Sequence, residues 1–261
     1  MTEERGGTEI VGRHTVDGLR RAFGVLTIYP LQASEAWTPE TLGSSMVYYP
    51  LVGMCIGCSL WILYYLLITL FPPAIASVLL LGGLVVMTGG LHLDGLANTV
   101  DGLNGGHSRE DTLDIFKDPH VGAMAVVGVV LVLLVKHASL AILPYDSMLP
   151  CLVLMVTLSR YSMVQLACFS SYAHASGGLG EPFVRGMRQE HFLTTVLLTG
   201  SIILVFGGVR GAMIWVMVSL ATLWYQSYFR RRLSGITSDV LGAVNEVNEA
   251  LVLVLATMVF Y

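Results

Sequence analysis

Residues 88–105 read TGGLHLDGLANTVDGLNG and follow directly on an apolar run that begins near Ala74. With no polar break between the two, the pattern predicts one helix over about residues 74–97, a membrane span that carries an acidic motif out of one end. On a helix Asp94 and Asp101 are two turns apart, with Asn98 four residues after Asp94, so all three share one face. The glycines at 89, 90, 95 and 102 clear side chains from around that face, which lets a neighbouring helix or a bulky ligand come close. Two ionised carboxylates on one face at the edge of a bilayer repel each other and are costly unless paired. A bound cation relieves both costs. Hard divalent ions choose oxygen ligands, and Mg²⁺ in particular bridges one or two carboxylates to a substrate phosphate.

Composition sets the surroundings of this motif. The chain has 261 residues, 54% hydrophobic and only 12% charged, where a soluble domain carries roughly a quarter. With a mean hydropathy of +0.71 it reads as a polytopic membrane protein. A net charge of −4 provides no basic footprint, which excludes nucleic acid as a partner. Cys55 and Cys58 form a C-x-x-C inside an apolar helix with no second ligand pair, so they are expected to pack rather than bind zinc. The first 17 residues are polar and show no pattern of a cleaved leader.

The expected fold is an all-α membrane bundle forming one integral-membrane domain over 1–261, with a polar tail and interfacial helix in 1–32 and transmembrane helices in 46–261. In residues 15–32, Arg20 and Arg21 would face headgroups while Phe23, Leu26 and Ile28 enter lipid, with Trp37 an interfacial anchor after them. About seven spans follow, near 46–71, 74–97, 121–142, 148–170, 191–208, 211–229 and 240–260. If the N-terminus is cytoplasmic, the inner loops hold eleven basic residues (Arg5, Arg13, Arg20, Arg21, Arg109, Lys117, Arg185, Arg188 and Arg230 to Arg232) against Arg210 alone outside. That orientation also places the end of the second span, the loop to Asp118 and the Asp239–Glu249 start of the last span on the same cytoplasmic side.

Further candidates come from those neighbouring stretches. Lys117 and Asp118 precede the third span, where Asp118 can add a metal or substrate ligand and Lys117 can offset phosphate charge. Asp239 and Glu246 repeat the seven-residue spacing at the start of the last span, with Gly242 between them, and are preferred as site members over Glu249, which reads as interfacial. Arg160, within the fourth span, should face the bundle and pair either with the acids or with a substrate phosphate. Lys136 can snorkel to the headgroups and receives no role. His92, two residues before Asp94, contacts substrate, acts as a base or plays a structural part. The glycine-rich loop 172–190 is a candidate lid, and Arg230 to Arg232 a topogenic, lipid-binding cluster.

Taken together these motifs resemble one family. GGLHLDGLANTVDG, then SRE, IFKD and VGA, together with YYPLVG at 48–53, Ser159-Arg160 and T-x-D-x-L-G-A-x-x-E at 237–246, are similar in order and spacing to the cobalamin synthases, the adenosylcobinamide-GDP ribazoletransferases. The resemblance implies a Mg²⁺-dependent membrane enzyme joining adenosylcobinamide-GDP to α-ribazole or its 5′-phosphate with release of GMP. It implies small-molecule substrates, lipid surroundings, and leaves a homo-oligomer open. Carried over by position, it marks His92, Asp94, Asp101 and Asp118 as catalytic, with Asp94, Asp101 and Asp118 as metal ligands. Asn98, Lys117, Arg160, Asp239 and Glu246 fall at substrate-binding positions. Asn98 departs from the family's usual third aspartate and brings no charge, which puts a full two-metal site in doubt. Two other classes remain as alternatives: a CDP-alcohol-type phosphotransferase, whose own D-G-x₂-A-R spacing is absent, and an ion-coupled transporter.

Overall fold

The computed structural model describes residues 3–29, 31, 37–174 and 177–260, with side chains described from Thr15 onward. Every extended element among them is helical: α1 (Glu3–Leu26), α2 (Pro39–Ser45), α3 (Tyr49–Leu67), α4 (Pro73–Thr88), α5 (Leu91–Gly105), α6 (Arg109–Ile115), α7 (Ala123–Ile142), α8 (Tyr145–Cys168), α9 (Glu181–Gly186), α10 (Gln189–Phe206), α11 (Gly208–Leu233) and α12 (Ser238–Phe260). Among the described residues, six stretches are long and apolar enough to cross a membrane: Pro39–Leu67, α7, α8, α10, α11 and α12. The α4–α5 pair makes a seventh if counted as one broken span, which agrees with the expected all-α bundle of about seven.

The bundle is arranged around α8, which is apolar on nearly every side and buried along almost its whole length. Helices α3 and α12 flank it most closely, and α10 and α11 complete its enclosure. Helix breaks fall where the chain cannot continue a helix. Pro73 opens α4 after the Pro72 cap, and Gly207-Gly208 separates α10 from α11.

The second predicted span is corrected at this level. Gly89 and Gly90 both adopt left-handed backbone, φ 63° and 70°, ending α4 and starting α5 at an angle of 94°. A side chain at either position would be strained, so the glycines make a corner where the sequence pattern suggested a continuous helix. The acidic motif therefore lies on its own 15-residue helix, which packs against α12 and α7.

The interfacial segment also differs. Helix α1 runs only to Leu26, and Arg21 and Leu26 are buried in protein rather than facing headgroups and lipid, while Ile28 is exposed as expected. The backbone N–H of Ile28 donates to Met87 O, which ties this segment to the end of α4. Pro30, the connection 32–36 and the side chains of Arg5 and Arg13 lie outside what is described. Arg232 is not merely topogenic, because its guanidinium donates to Gly106 O. Arg109 likewise donates to Leu233 O at 2.8 Å and to Ala173 O at 2.6 Å, fastening α6 to the end of α11 and to the loop after α8. The four cysteines are free, as packing residues should be.

Candidate active site

Helices α5 and α12 meet through their glycines. A Cβ on Gly95 would stand 2.9 Å from Asp239 O, and one on Gly242 would stand 3.2 Å from His92 Cα, so a side chain at either position would push the two helices apart. This contact brings Asp239, in the first turn of α12, beside the polar face of α5. The Asn98 amide then donates to both acids, 3.0 Å to Asp239 Oδ1 and a longer 3.4 Å to Asp94 Oδ2. Asn98 thus supplies donors between two like charges. An aspartate in its place would add a third negative charge and remove the donor that ties the other two together.

A cavity of about 340 Å³ opens beside this pair. Its polar wall includes His92, Asp94, Ser238 and Asp239; its apolar wall includes Leu26, Met46, Met163, Phe183 and Leu241. Leu179, Gly180 and Phe183 bring the loop 172–190 and α9 to its rim, so this loop forms part of the enclosure. The loop is held by a bridge between Tyr172 and Ile236, with Ala173 N donating to Ile236 O at 2.9 Å. No lysine or arginine lines the cavity among the described residues. The charged side chains of its lining are the carboxylates of Asp94 and Asp239, whose oxygens suit a hard divalent cation. The rest of a coordination shell has to come from ligand and water, since no three His, Cys, Asp or Glu side chains are gathered to hold a metal among the described residues.

The predicted metal trio is therefore not assembled. Asp101 caps α7: its Oδ2 accepts from Gly122 N at 2.5 Å and its Oδ1 from Ala125 N at 2.8 Å. Asp118 is exposed and accepts from both the backbone N–H and the ring of His120, and these hydrogen bonds hold its carboxyl below the usual range. Lys117 is exposed, with a loose 3.7 Å contact to Asp114. It does lie within electrostatic reach of His174, as does Asp239, so it stands on the same side of the molecule as the acid pair. His174, given no role from sequence, is partly buried; that burial lowers its proton affinity and Lys117 adds to the effect.

Arg160 and Glu246 are not available to substrate. They belong to a buried network with Lys136 and Glu249 that links α7, α8 and α12. The Lys136 ammonium donates to Glu246 Oε2 at 2.6 Å and Glu249 Oε2 at 2.5 Å, and Arg160 donates to Glu249 Oε1. Lys136 is 1% exposed and Glu249 0%, which corrects both the snorkelling lysine and the interfacial glutamate. The signal in the sequence was Arg160, an intramembrane arginine that needs a partner, whereas Lys136, towards the end of its span, read as able to reach the headgroups. His92 lies between this network and the cavity wall, 2% exposed, with neither ring nitrogen hydrogen-bonded.

Fold and site define the class first: an α-helical membrane protein that gathers carboxylates from separate helices at a mostly apolar cavity. The chain belongs to the cobalamin-5-phosphate synthase family, whose family model matches residues 18–257. It is 39% identical over 237 residues to the adenosylcobinamide-GDP ribazoletransferase of Geotalea daltonii, covering 89% of this chain and 93% of that one. It is 36% identical to the protein of the same name from Pseudomonas fluorescens (89% and 96% covered) and 32% identical to that from Acetivibrio thermocellus (89% and 94%). No solved structure matches the chain.

Proposed function

We infer that the chain is a Mg²⁺-dependent adenosylcobinamide-GDP ribazoletransferase, moving the adenosylcobinamide-phosphate group to α-ribazole or its 5′-phosphate with release of GMP. The observation that carries this reading is the family match across nearly the whole chain. The acid pair in its cavity supports it.

The ribazole 3′-hydroxyl attacks the phosphorus that bears cobinamide. A bond forms from that oxygen to phosphorus, and the bond from phosphorus to the bridging oxygen breaks, leaving with GMP. Such a transfer asks for alignment and charge neutralisation more than for covalent help from the protein. Asp94 and Asp239 would hold the cation, the Asn98 amide N–H groups tie the two carboxylates together, and Asp101 keeps the N-terminus of α7 in place. Bound Mg²⁺ supplies neutralisation of the diphosphate and of the charge that develops on the leaving phosphate. One carboxylate of the pair takes the hydroxyl proton. The first turn of α12 ends at the cavity, so its backbone N–H groups favour an anion there. Lys117 meets phosphate oxygens from the loop, and the apolar wall excludes water that would compete with the ribose hydroxyl.

We read the N-terminus and the cavity as cytoplasmic, a reading supported by the eleven-to-one distribution of basic residues between the two sets of loops. Purified protein incubated with adenosylcobinamide-GDP, α-ribazole and Mg²⁺ tests the function. Formation of a cobalamin and GMP in equal amounts is expected, and its absence from folded protein refutes the reading.

A further inference from the structure

The buried charges leave a question that the proposed chemistry does not answer. Two glycines set how close α5 and α12 stand, but a smooth contact between small residues fixes distance better than it fixes axial position or rotation. Directional ties must supply the register. Three of them form a closed triangle. Asp101 on α5 is bonded to Gly122 and Ala125 at the start of α7. Lys136, further along α7, is bonded to Glu246 and Glu249 on α12. Asp239 on α12 accepts from Asn98 on α5, which closes the figure.

Asp239 and Glu246 are seven residues apart, so they lie on one stripe of α12 about 10 Å from each other. Holding Glu246 against Lys136 therefore also holds Asp239 towards α5. A slip of α12 by one helical turn, about 5.4 Å, would carry one glutamate out of reach and bring the other only near the place it left, so at least one of the three buried ion pairs to Lys136 and Arg160 would be lost inside the bundle. Unpaired charges are strongly disfavoured there, so the network penalises misregister far more steeply than apolar packing does.

We propose that Lys136, with Glu246 and Glu249, is a positioning device that sets the register of α12 and thereby holds Asp239 opposite Asp94 and Asn98. None of the three touches the reacting atoms. The relevance to catalysis rests on the reading that the Asp94–Asp239 pair is the working site; the register itself can be measured without activity.

The test is a cysteine pair at positions 98 and 239 in a background with Cys55, Cys58, Cys151 and Cys168 replaced by alanine, cross-linked by a short bifunctional thiol reagent. Lys136→Met leaves a glutamate unpaired, and Lys136→Met/Glu246→Gln restores charge balance by leaving Arg160 paired with Glu249. If the network serves stability alone, the double variant regains both thermal stability and wild-type cross-linking. The positioning role predicts that the double variant regains stability and monodispersity in detergent while cross-linking stays at least tenfold slower. Without the cysteine pair, its kcat stays about 10²-fold down, the cost of a misplacement near 1 Å. Lys136→Arg, which can keep the tie, restores both readouts. Wild-type cross-linking in the stable double variant overturns the proposal. Slow cross-linking in that variant, alongside a wild-type chain that makes no cobalamin, would leave the register role standing and remove the transferase reading instead.

Discussion

Placing a side chain on Gly95 attacks the site through its frame and leaves every polar group unchanged. A Cβ there lies 2.9 Å from Asp239 O and 3.2 Å from Gly242 Cα, against the 3.4 Å at which ordinary contact begins. Alanine therefore demands about half an ångström of separation between α5 and α12, and valine, reaching one further C–C bond of about 1.5 Å, demands more than 1 Å. The 3.0 Å bond from Asn98 to Asp239 does not survive an added ångström. Overpacking of this kind costs about 1–3 kcal/mol of stability, and an ångström of misplacement costs about 10²-fold in rate. GMP release and thermal unfolding in detergent separate the two effects. Gly95→Val should lose about 10²-fold in kcat and Gly95→Ala less, while Gly82→Ala, whose Cβ meets nothing within 4 Å, should match wild type. Wild-type turnover by a folded Gly95→Val would refute the claim that this contact sets the site.

Other expectations concern single groups. Asp94→Asn and Asp239→Asn should each lower GMP release by about 10²-fold or more and raise the Mg²⁺ needed for half-maximal rate. Asp118→Asn should leave that Mg²⁺ requirement where it is, because its carboxylate is engaged with His120 outside the cavity wall. Arg109→Met removes two hydrogen bonds from a charged donor to Leu233 O and Ala173 O and should destabilise by about 2–4 kcal/mol, read as a lower Tm. Burial makes His174 harder to protonate in the folded chain than in the unfolded one. Acid therefore favours the unfolded loop: this stability is complete above the ordinary histidine value of about 6.5 and is lost as pH falls through it towards the depressed folded value. Proteolytic nicking of the loop 172–190 should rise over that window in wild type and rise less in His174→Phe.

Much of the fold was legible because it rests on hydrophobic runs bounded by proline and glycine, and six of the spanning stretches lie close to where those runs predict them. The corner at Gly89-Gly90 was not, because a glycine pair in a helical pattern reads equally as a packing groove or as two left-handed residues, and only neighbouring structure decides. At the site, Asp94, Asn98 and Asp239 come together as their spacing and glycines suggested. Asp101 and Asp118 share motif character with them but are engaged elsewhere, one capping a helix and the other closing a turn. Arg160 was legible as an intramembrane charge that needs a partner, whereas Lys136 read as snorkelling, Glu246 as a substrate-site acid and Glu249 as interfacial. Their mutual pairing depends on how three helices are rotated, and a single sequence read by periodicity carries no such information.

Mn²⁺ in place of Mg²⁺ offers the most direct reading of whether one carboxylate from α5 and one from the start of α12 share a cation. Paramagnetic resonance of Mn²⁺ with the detergent-solubilised protein and a guanosine diphosphate ester should show one tightly held ion, lost in Asp94→Asn and equally in Asp239→Asn. Undiminished Mn²⁺ binding by folded Asp239→Asn would contradict the account.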